Sequence, residues 1–134
     1  MQKIAVLDDD EHWCLAIKRF FRNDFEVVTF TNAQNFLDSA IESYDGIMID
    51  FAISPRLRYE RQVSGIEIIN QLKEQLENPP VIILTSAFFS RNDSDIDEKL
   101  KSVADEILPK DLGLEEILQV FKKLLSARGS QEHN

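Results

Sequence analysis

Ile4-Ala5-Val6-Leu7-Asp8-Asp9-Asp10 is the stretch on which the reading of this chain turns. A short apolar run enters three consecutive carboxylates. An apolar run of this length fits a strand buried on both faces, as in a parallel sheet. The carboxyl end of such a strand is where open α/β sheets place their ligands. Clustered acids work against folding: at an effective dielectric of 20, two carboxylates 4 Å apart repel by roughly 4 kcal/mol. A hard cation or an ammonium among them relieves that repulsion. The plain alternative is that Asp8 to Asp10 only cap the helix that follows, since Asp is a favoured N-cap.

Outward from that stretch, Trp13, Ala16, Ile17 and Phe20 recur at helical spacing and predict an amphipathic helix over about 11–23. Phe25 to Phe30 reads as a strand rich in β-branched residues. Thr31 or Asn32 caps a second helix with Ala33, Phe36, Leu37, Ala40 and Ile41 on its apolar face. Ile47-Met48-Ile49 is a third strand and ends on Asp50. A loop from Phe51 to Ser64 carries Pro55, Arg56, Arg58, Tyr59 and Arg61. Gly65 leads into a helix faced by Ile68, Ile69, Leu72 and Leu76, stopped by Asn78-Pro79-Pro80. Val81 to Leu84 is the most apolar strand and ends on Thr85-Ser86. After a polar loop, a weak helix is expected at 95–103, then a short strand at Glu106-Ile107-Leu108 reaching Pro109-Lys110. Leu114, Ile117, Leu118, Phe121 and Leu125 mark the last helix.

Five strands alternating with five helices predict an α/β fold with a parallel sheet covered on both faces. Asp8, Asp9, Asp50, Thr85 and Lys110 then all fall at or just after strand ends, along one edge of the sheet. Four separate segments deliver polar groups to one crevice. Asp8, Asp9 and Asp50 form an oxygen site suited to Mg²⁺ (or Mn²⁺), a cation that pairs with phosphate oxygens. Lys110 supplies a fixed positive charge and Thr85 a hydroxyl. Asp50, alone on its strand, is the candidate nucleophile, because carboxylates form acyl-phosphates.

Composition narrows the field. The 134 residues suit one domain, and 43% are hydrophobic, enough for a core. The formal net charge of −9 disfavours direct nucleic-acid binding. The single cysteine, Cys14, allows no internal disulfide. Met1-Gln2-Lys3 shows no signal-peptide pattern and no apolar stretch is membrane-length, so a cytoplasmic setting without membrane contact is expected. The domain is expected over 1–126, with 127–134 a disordered tail.

The order of acid pair, lone Asp, Thr and Lys resembles the receiver domain of two-component response regulators. The likeness covers about residues 2–126, through Ile4–Asp10, Asp45–Asp50, Gly65–Ile69, Pro80–Ser86 and Ala104–Lys110. It implies a flavodoxin-like, doubly wound five-stranded parallel sheet, order 2-1-3-4-5, with five helices. It implies that Asp50 accepts a phosphoryl group from a histidine kinase or phosphotransfer protein. Mg²⁺ would be held by the Asp8–Asp9 acid pair, Asp50 and the backbone carbonyl of Ala52, while Thr85 and Lys110 contact the phosphoryl group. A receiver promotes only its own phosphorylation and dephosphorylation and signals through protein contacts. The downstream protein is unknown, and a phosphorylation-dependent homodimer is compatible with the family.

Departures from the family pattern are also legible. The loop after Asp50 is several residues longer than usual, and its Arg56, Arg58 and Arg61 suggest a docking lid; a plain solvated loop is the alternative. Asp111 follows Lys110 where the family usually has proline, which disfavours a cis peptide there. Ile107 stands where the family's aromatic switch residue is expected. Phe88 and Phe89 suggest a partner patch, which with Ile107 and the last helix would form the contact face. Small residues at Ala52, Ser86 and Ala87 suggest an unshielded, rapidly hydrolysed phosphoryl group. Two other readings stay open. One is a receiver-like binding module that works without phosphorylation. The other is a phosphatase resembling the haloacid dehalogenase superfamily, with Asp8 as nucleophile and Asp10 as acid, which leaves Asp50 without a role.

Overall fold

The computed structural model describes residues 1–53, 63–87 and 102–132. In chain order its strands are β1 (Lys3–Leu7), β2 (Glu26–Phe30), β3 (Gly46–Asp50), β4 (Ala52–Ile53), β5 (Val63–Ser64), β6 (Val81–Ser86) and β7 (Glu106–Pro109). Five of them form the main sheet, in the order β2-β1-β3-β6-β7 with every pairing parallel. This is the expected 2-1-3-4-5 order. The short strands β4 and β5 form a separate antiparallel pair between β3 and β6. Around the sheet run α1 (Glu11–Phe21), α2 (Ala33–Leu37), α3 (Gly65–Gln75) and α4 (Leu114–Glu132), with 3-10 turns at Ile41–Ser43 and Lys110–Leu112. The expected helix at 95–103 falls almost wholly outside the described residues.

Side chains alternate across a strand, and that period of two sorts the core into two layers. Ile4, Val6, Met48, Ile83 and Leu108 face one side, where they meet Ile17 and Phe21 of α1 and Ile117 and Phe121 of α4. Ala5, Leu7, Ile47, Ile49, Ile82, Leu84 and Ile107 face the other, against Phe36 of α2 and Ile68, Ile69 and Leu72 of α3. On the first side the Phe21 and Phe121 rings meet edge-on with centroids 6.3 Å apart, a favoured aromatic geometry.

Local chemistry explains where the helices differ from expectation. The second helix stops at Leu37 rather than running to Ile41, because the Ser39 hydroxyl donates to the Phe36 carbonyl at 2.5 Å and competes with the helical ladder. Tyr44 then donates its hydroxyl to Ser39 Oγ at 2.8 Å and locks that turn. The last helix continues to Glu132, through residues expected to belong to a tail. Leu125, 3% exposed, still packs into the core near that end and holds the helix against the sheet. Ile107 is corrected too: it is 9% exposed and sits in the core layer with Leu84, so it does not present an open contact face.

The start of α3 is set by Ser64, whose hydroxyl accepts the Glu67 amide at 3.2 Å. Ser64→Ala removes this cap and is expected to lower stability by about 1 kcal/mol, read from urea unfolding midpoints. No change in midpoint would show that the cap contributes nothing here.

Candidate functional site

Strand register gathers the polar residues. Asp50 closes β3 and pairs with Thr85 on β6. Thr85 and Ser86 pair in turn with Leu108 and Pro109 of β7, so Lys110 emerges beside them. On the other flank Leu7 of β1 pairs with Ile49 of β3, so Asp8 and Asp9 leave β1 next to Asp50. Each of these residues is at the carboxyl edge because its strand is parallel to its neighbours. Asp8, Asp9 and Asp50 each offer a carboxylate oxygen, and those oxygens lie within 4.8 Å of one another.

The three consecutive acids divide their work. Asp10 alone caps α1: its Oδ1 accepts the His12 and Trp13 amides at 3.0 and 3.2 Å. His12 is exposed on the helix surface, away from any ligand role. Asp8 turns inward and is 1% exposed. Its Oδ1 accepts the Asp10 amide at 2.9 Å, and its Oδ2 meets the Lys110 ammonium at 2.6 Å. The same ammonium is 3.7 Å from Asp50 Oδ1, an ion pair too long for a hydrogen bond. Thr85 Oγ1 is buried with no hydrogen-bond partner among the described residues. A buried hydroxyl left in that state costs free energy, about 1–3 kcal/mol, that an incoming acceptor would recover.

Burial governs the electrostatics. It pushes the Asp50 carboxyl up to about 7, with the Asp8 charge adding to the rise and Lys110 opposing it. Burial also raises Asp8 above the usual carboxylate range, while the Lys110 hydrogen bond pulls it back. For Lys110, burial pulls downward, but Asp8 and Asp50 outweigh it and keep the ammonium charged. Cys14, beneath the site, is buried and pushed up to about 11, mainly by desolvation; its thiol donates to the Asp8 carbonyl at 3.4 Å. It is an inert packing residue rather than a nucleophile.

These donors fit a hard divalent cation. Three carboxylates crowd one point, and hard oxygens are what Mg²⁺ takes. Ala52 begins β4, paired with Ser64, two residues beyond Asp50.

Of the expected site residues, Arg56, Arg58, Arg61, Phe88 and Phe89 lie outside the described residues. Residues not anticipated as functional join the site. The Lys110 ammonium lies over the Trp13 ring, 5.3 Å from its centroid. Such a contact contributes about 0.5–2 kcal/mol, depending on desolvation. In the sequence Trp13 is legible only as part of a helix face, and no local spacing links it to a lysine beyond a distant strand. Gly65 approaches the site from the side: a Cβ there would sit 2.3 Å from the Asp50 carbonyl oxygen. The β4–β5 pair closes the base of the long loop, which the sequence suggests as irregular throughout.

Comparisons with known proteins agree with this geometry. The transcriptional regulatory protein PrrA of Mycobacterium tuberculosis is 28% identical over 133 residues, covering 96% of this chain and 52% of PrrA. Response regulator MprA of Mycolicibacterium vanbaalenii is 29% identical over 128 residues, covering 92% and 50%. The chain thus spans about half the length of the curated relatives it matches. Among solved structures, the BeF3-activated receiver domain of DrrB superposes with a TM-score of 0.74 at 25% identity, over 94% of this chain and 98% of that one. The response regulator TrrA from Thermotoga maritima, in complex with Mg²⁺ and BeF, gives 0.73 at 25% identity, over 92% and 99%. Among the described residues no helix is long and apolar enough to cross a membrane. The family model of the response regulator receiver domain matches residues 4–122, nearly the whole sheet and its helices, and the chain belongs to that family.

Proposed function

We propose that this receiver domain accepts a phosphoryl group on Asp50 from the phosphohistidine of a histidine kinase or phosphotransfer protein, with Mg²⁺ at Asp8, Asp9 and Asp50. The observation that carries the reading is the register itself. It sets Asp50 opposite a Thr85 hydroxyl that has no partner among the described residues and beside an ammonium already shared with Asp8. An Asp50 oxygen attacks phosphorus. As the new P–O bond forms, the P–N bond to the donor imidazole breaks and its electron pair stays on nitrogen. Lys110 and the Thr85 hydroxyl meet the charge on the phosphoryl oxygens. Asp8, Asp9, Asp50 and the backbone carbonyl of Ala52 would hold Mg²⁺, which when bound would supply the remaining charge neutralisation. Receiver domains are signalling modules rather than enzymes acting on other substrates, so the output is a changed set of protein contacts. The downstream partner acts in the cytoplasm in this reading.

Intact mass after incubation with Mg²⁺ and acetyl phosphate tests the proposal. One added phosphoryl group is expected in the parent and none when EDTA replaces Mg²⁺. No addition under either condition, together with no Mg²⁺ binding, would make the domain a binding module that works without phosphorylation.

The high Asp50 pKa gives metal binding a characteristic pH dependence. The carboxyl must lose its proton to ligate a cation. Below about 7, Mg²⁺ therefore competes with a proton at Asp50. Affinity is expected to rise about tenfold per pH unit up to that point and then level off. Calorimetric titration with Mg²⁺ between pH 5 and 8 reads this directly, and a flat profile would place the Asp50 pKa back in the ordinary range.

A further inference from the structure

We propose that Trp13 is a positioning residue for Lys110: its indole face is a neutral anchor that keeps the ammonium at the mouth of the carboxylate site. The proposal rests on the reading of Asp50 as phosphoacceptor and names a residue that controls the lysine serving it.

Three observations meet at Trp13. First, its backbone is fixed next to the site, because its amide donates to Oδ1 of Asp10, the cap of α1. Second, the indole packs on the core layer beneath α1 and α4, and Leu112 of the turn that begins with Lys110 packs on the same layer. Third, the Lys110 ammonium lies 5.3 Å from the ring centroid while meeting Asp8 Oδ2 at 2.6 Å.

The ammonium is therefore held in two different ways. Asp8, and more distantly Asp50, hold it by charge, and that grip weakens when a divalent cation shares the carboxylate cluster. The indole holds it through the ring quadrupole, which neither a cation nor a phosphoryl group removes. A lysine stem is flexible, so an anchor that survives the change of charge reduces the positions the ammonium must search. The indole N–H adds a further clue. It is buried without a hydrogen-bond partner among the described residues. The ring, not the N–H, is the part in use, so phenylalanine should serve as well at this position.

The test combines spectroscopy with kinetics. Trp13 is the only tryptophan in the chain, so its emission reports its surroundings alone. Without metal or phosphodonor, Lys110→Met is expected to change that emission, and an unchanged spectrum would overturn the contact. Initial rates with acetyl phosphate at saturating Mg²⁺ are then compared for the parent, Trp13→Phe, Trp13→Leu, Lys110→Met and the Trp13→Leu/Lys110→Met double variant. Trp13→Phe should stay within about twofold of the parent, and Trp13→Leu should be slower by about five- to tenfold. In the Lys110→Met background, Trp13→Leu should cost nothing more. Equal rates for Trp13→Leu and the parent, or a loss that simply adds to that of Lys110→Met, would reduce Trp13 to core packing. If the parent itself takes up no phosphoryl group, the Asp50 reading fails. The emission comparison, which needs no Trp13 variant and no phosphodonor, still decides the contact.

Discussion

Asp50→Asn is expected to abolish phosphoryl uptake and, in metal-free buffer at pH 8, to raise the stability of the domain by about 1–3 kcal/mol. The first effect follows from chemistry, since a carboxamide offers no anionic oxygen to attack phosphorus. The second follows from burial. Asp50 is 7% exposed and faces Asp8. Moving its carboxyl from the usual 3.8 to about 7 means that the folded state binds the proton more tightly than the unfolded chain does. The ionised carboxylate therefore penalises the fold. The penalty is complete above about 7, shrinks as pH falls toward 4, and vanishes where both states are protonated. The ceiling for that shift, from 3.8 to about 7, is roughly 4 kcal/mol, and relaxation around Lys110 lowers it. The variant should thus outlast the parent in urea at pH 8 by a margin that narrows steadily toward pH 5. Mg²⁺ should stabilise the parent far more than the variant, because the cation needs the carboxylate that Asn lacks. A variant less stable than its parent at pH 8 would refute the electrostatic account, and phosphorylated Asp50→Asn would refute the acceptor assignment.

Gly65→Ala is expected to cost about 2–3 kcal/mol and most of the phosphoryl uptake, although it adds one methyl group. That methyl would lie 2.3 Å from the Asp50 carbonyl oxygen, 3.1 Å from its carbon and 3.1 Å from Ile49 Cγ2. Neither side can yield cheaply. The Asp50 backbone belongs to β3, paired on both flanks. Gly65 is tied down by its amide, which donates to the Phe51 carbonyl at 2.8 Å. Moving α3 away would unpack Ile68, Ile69 and Leu72, and moving Asp50 would displace the proposed acceptor itself. Helix propensity alone favours Ala over Gly by up to about 1 kcal/mol, so the two arguments predict opposite signs. Chemical denaturation decides between them: a variant as stable as the parent would show that the close approach relaxes freely.

Several features are legible in the amino-acid sequence because they are local and periodic. Apolar runs of strand length, helical spacing between them and a polar residue at each strand's end need only nearest-neighbour patterns. In a parallel sheet those ends share an edge, so the convergence of Asp8, Asp9, Asp50, Thr85 and Lys110 follows from strand direction alone. The same logic cannot say which acid does what. Asp8, Asp9 and Asp10 are identical in type and adjacent. Only the path of the chain from β1 into α1 turns Asp8 inward to Lys110 and leaves Asp10 to cap the helix.

Other features depend on contacts between residues far apart along the chain. The β4–β5 pair is two residues on each side, too short for any alternation to show. The family resemblance puts Ile107 on a contact face in place of an aromatic, yet its strand position turns it into the layer with Leu84. The end of α4 depends on where its last apolar turn docks, and composition past Leu125 says nothing of that. The sequence by itself therefore determined the parallel sheet, its order by resemblance, and the set of polar groups along its edge. Tertiary structure alone decided that Lys110 stands between Asp8 and Trp13, that Thr85 is left without a partner among the described residues, and that a Cβ at position 65 would press on the Asp50 carbonyl. Each of those depends on atoms brought within a few ångströms by strand register and helix packing, which no local pattern encodes.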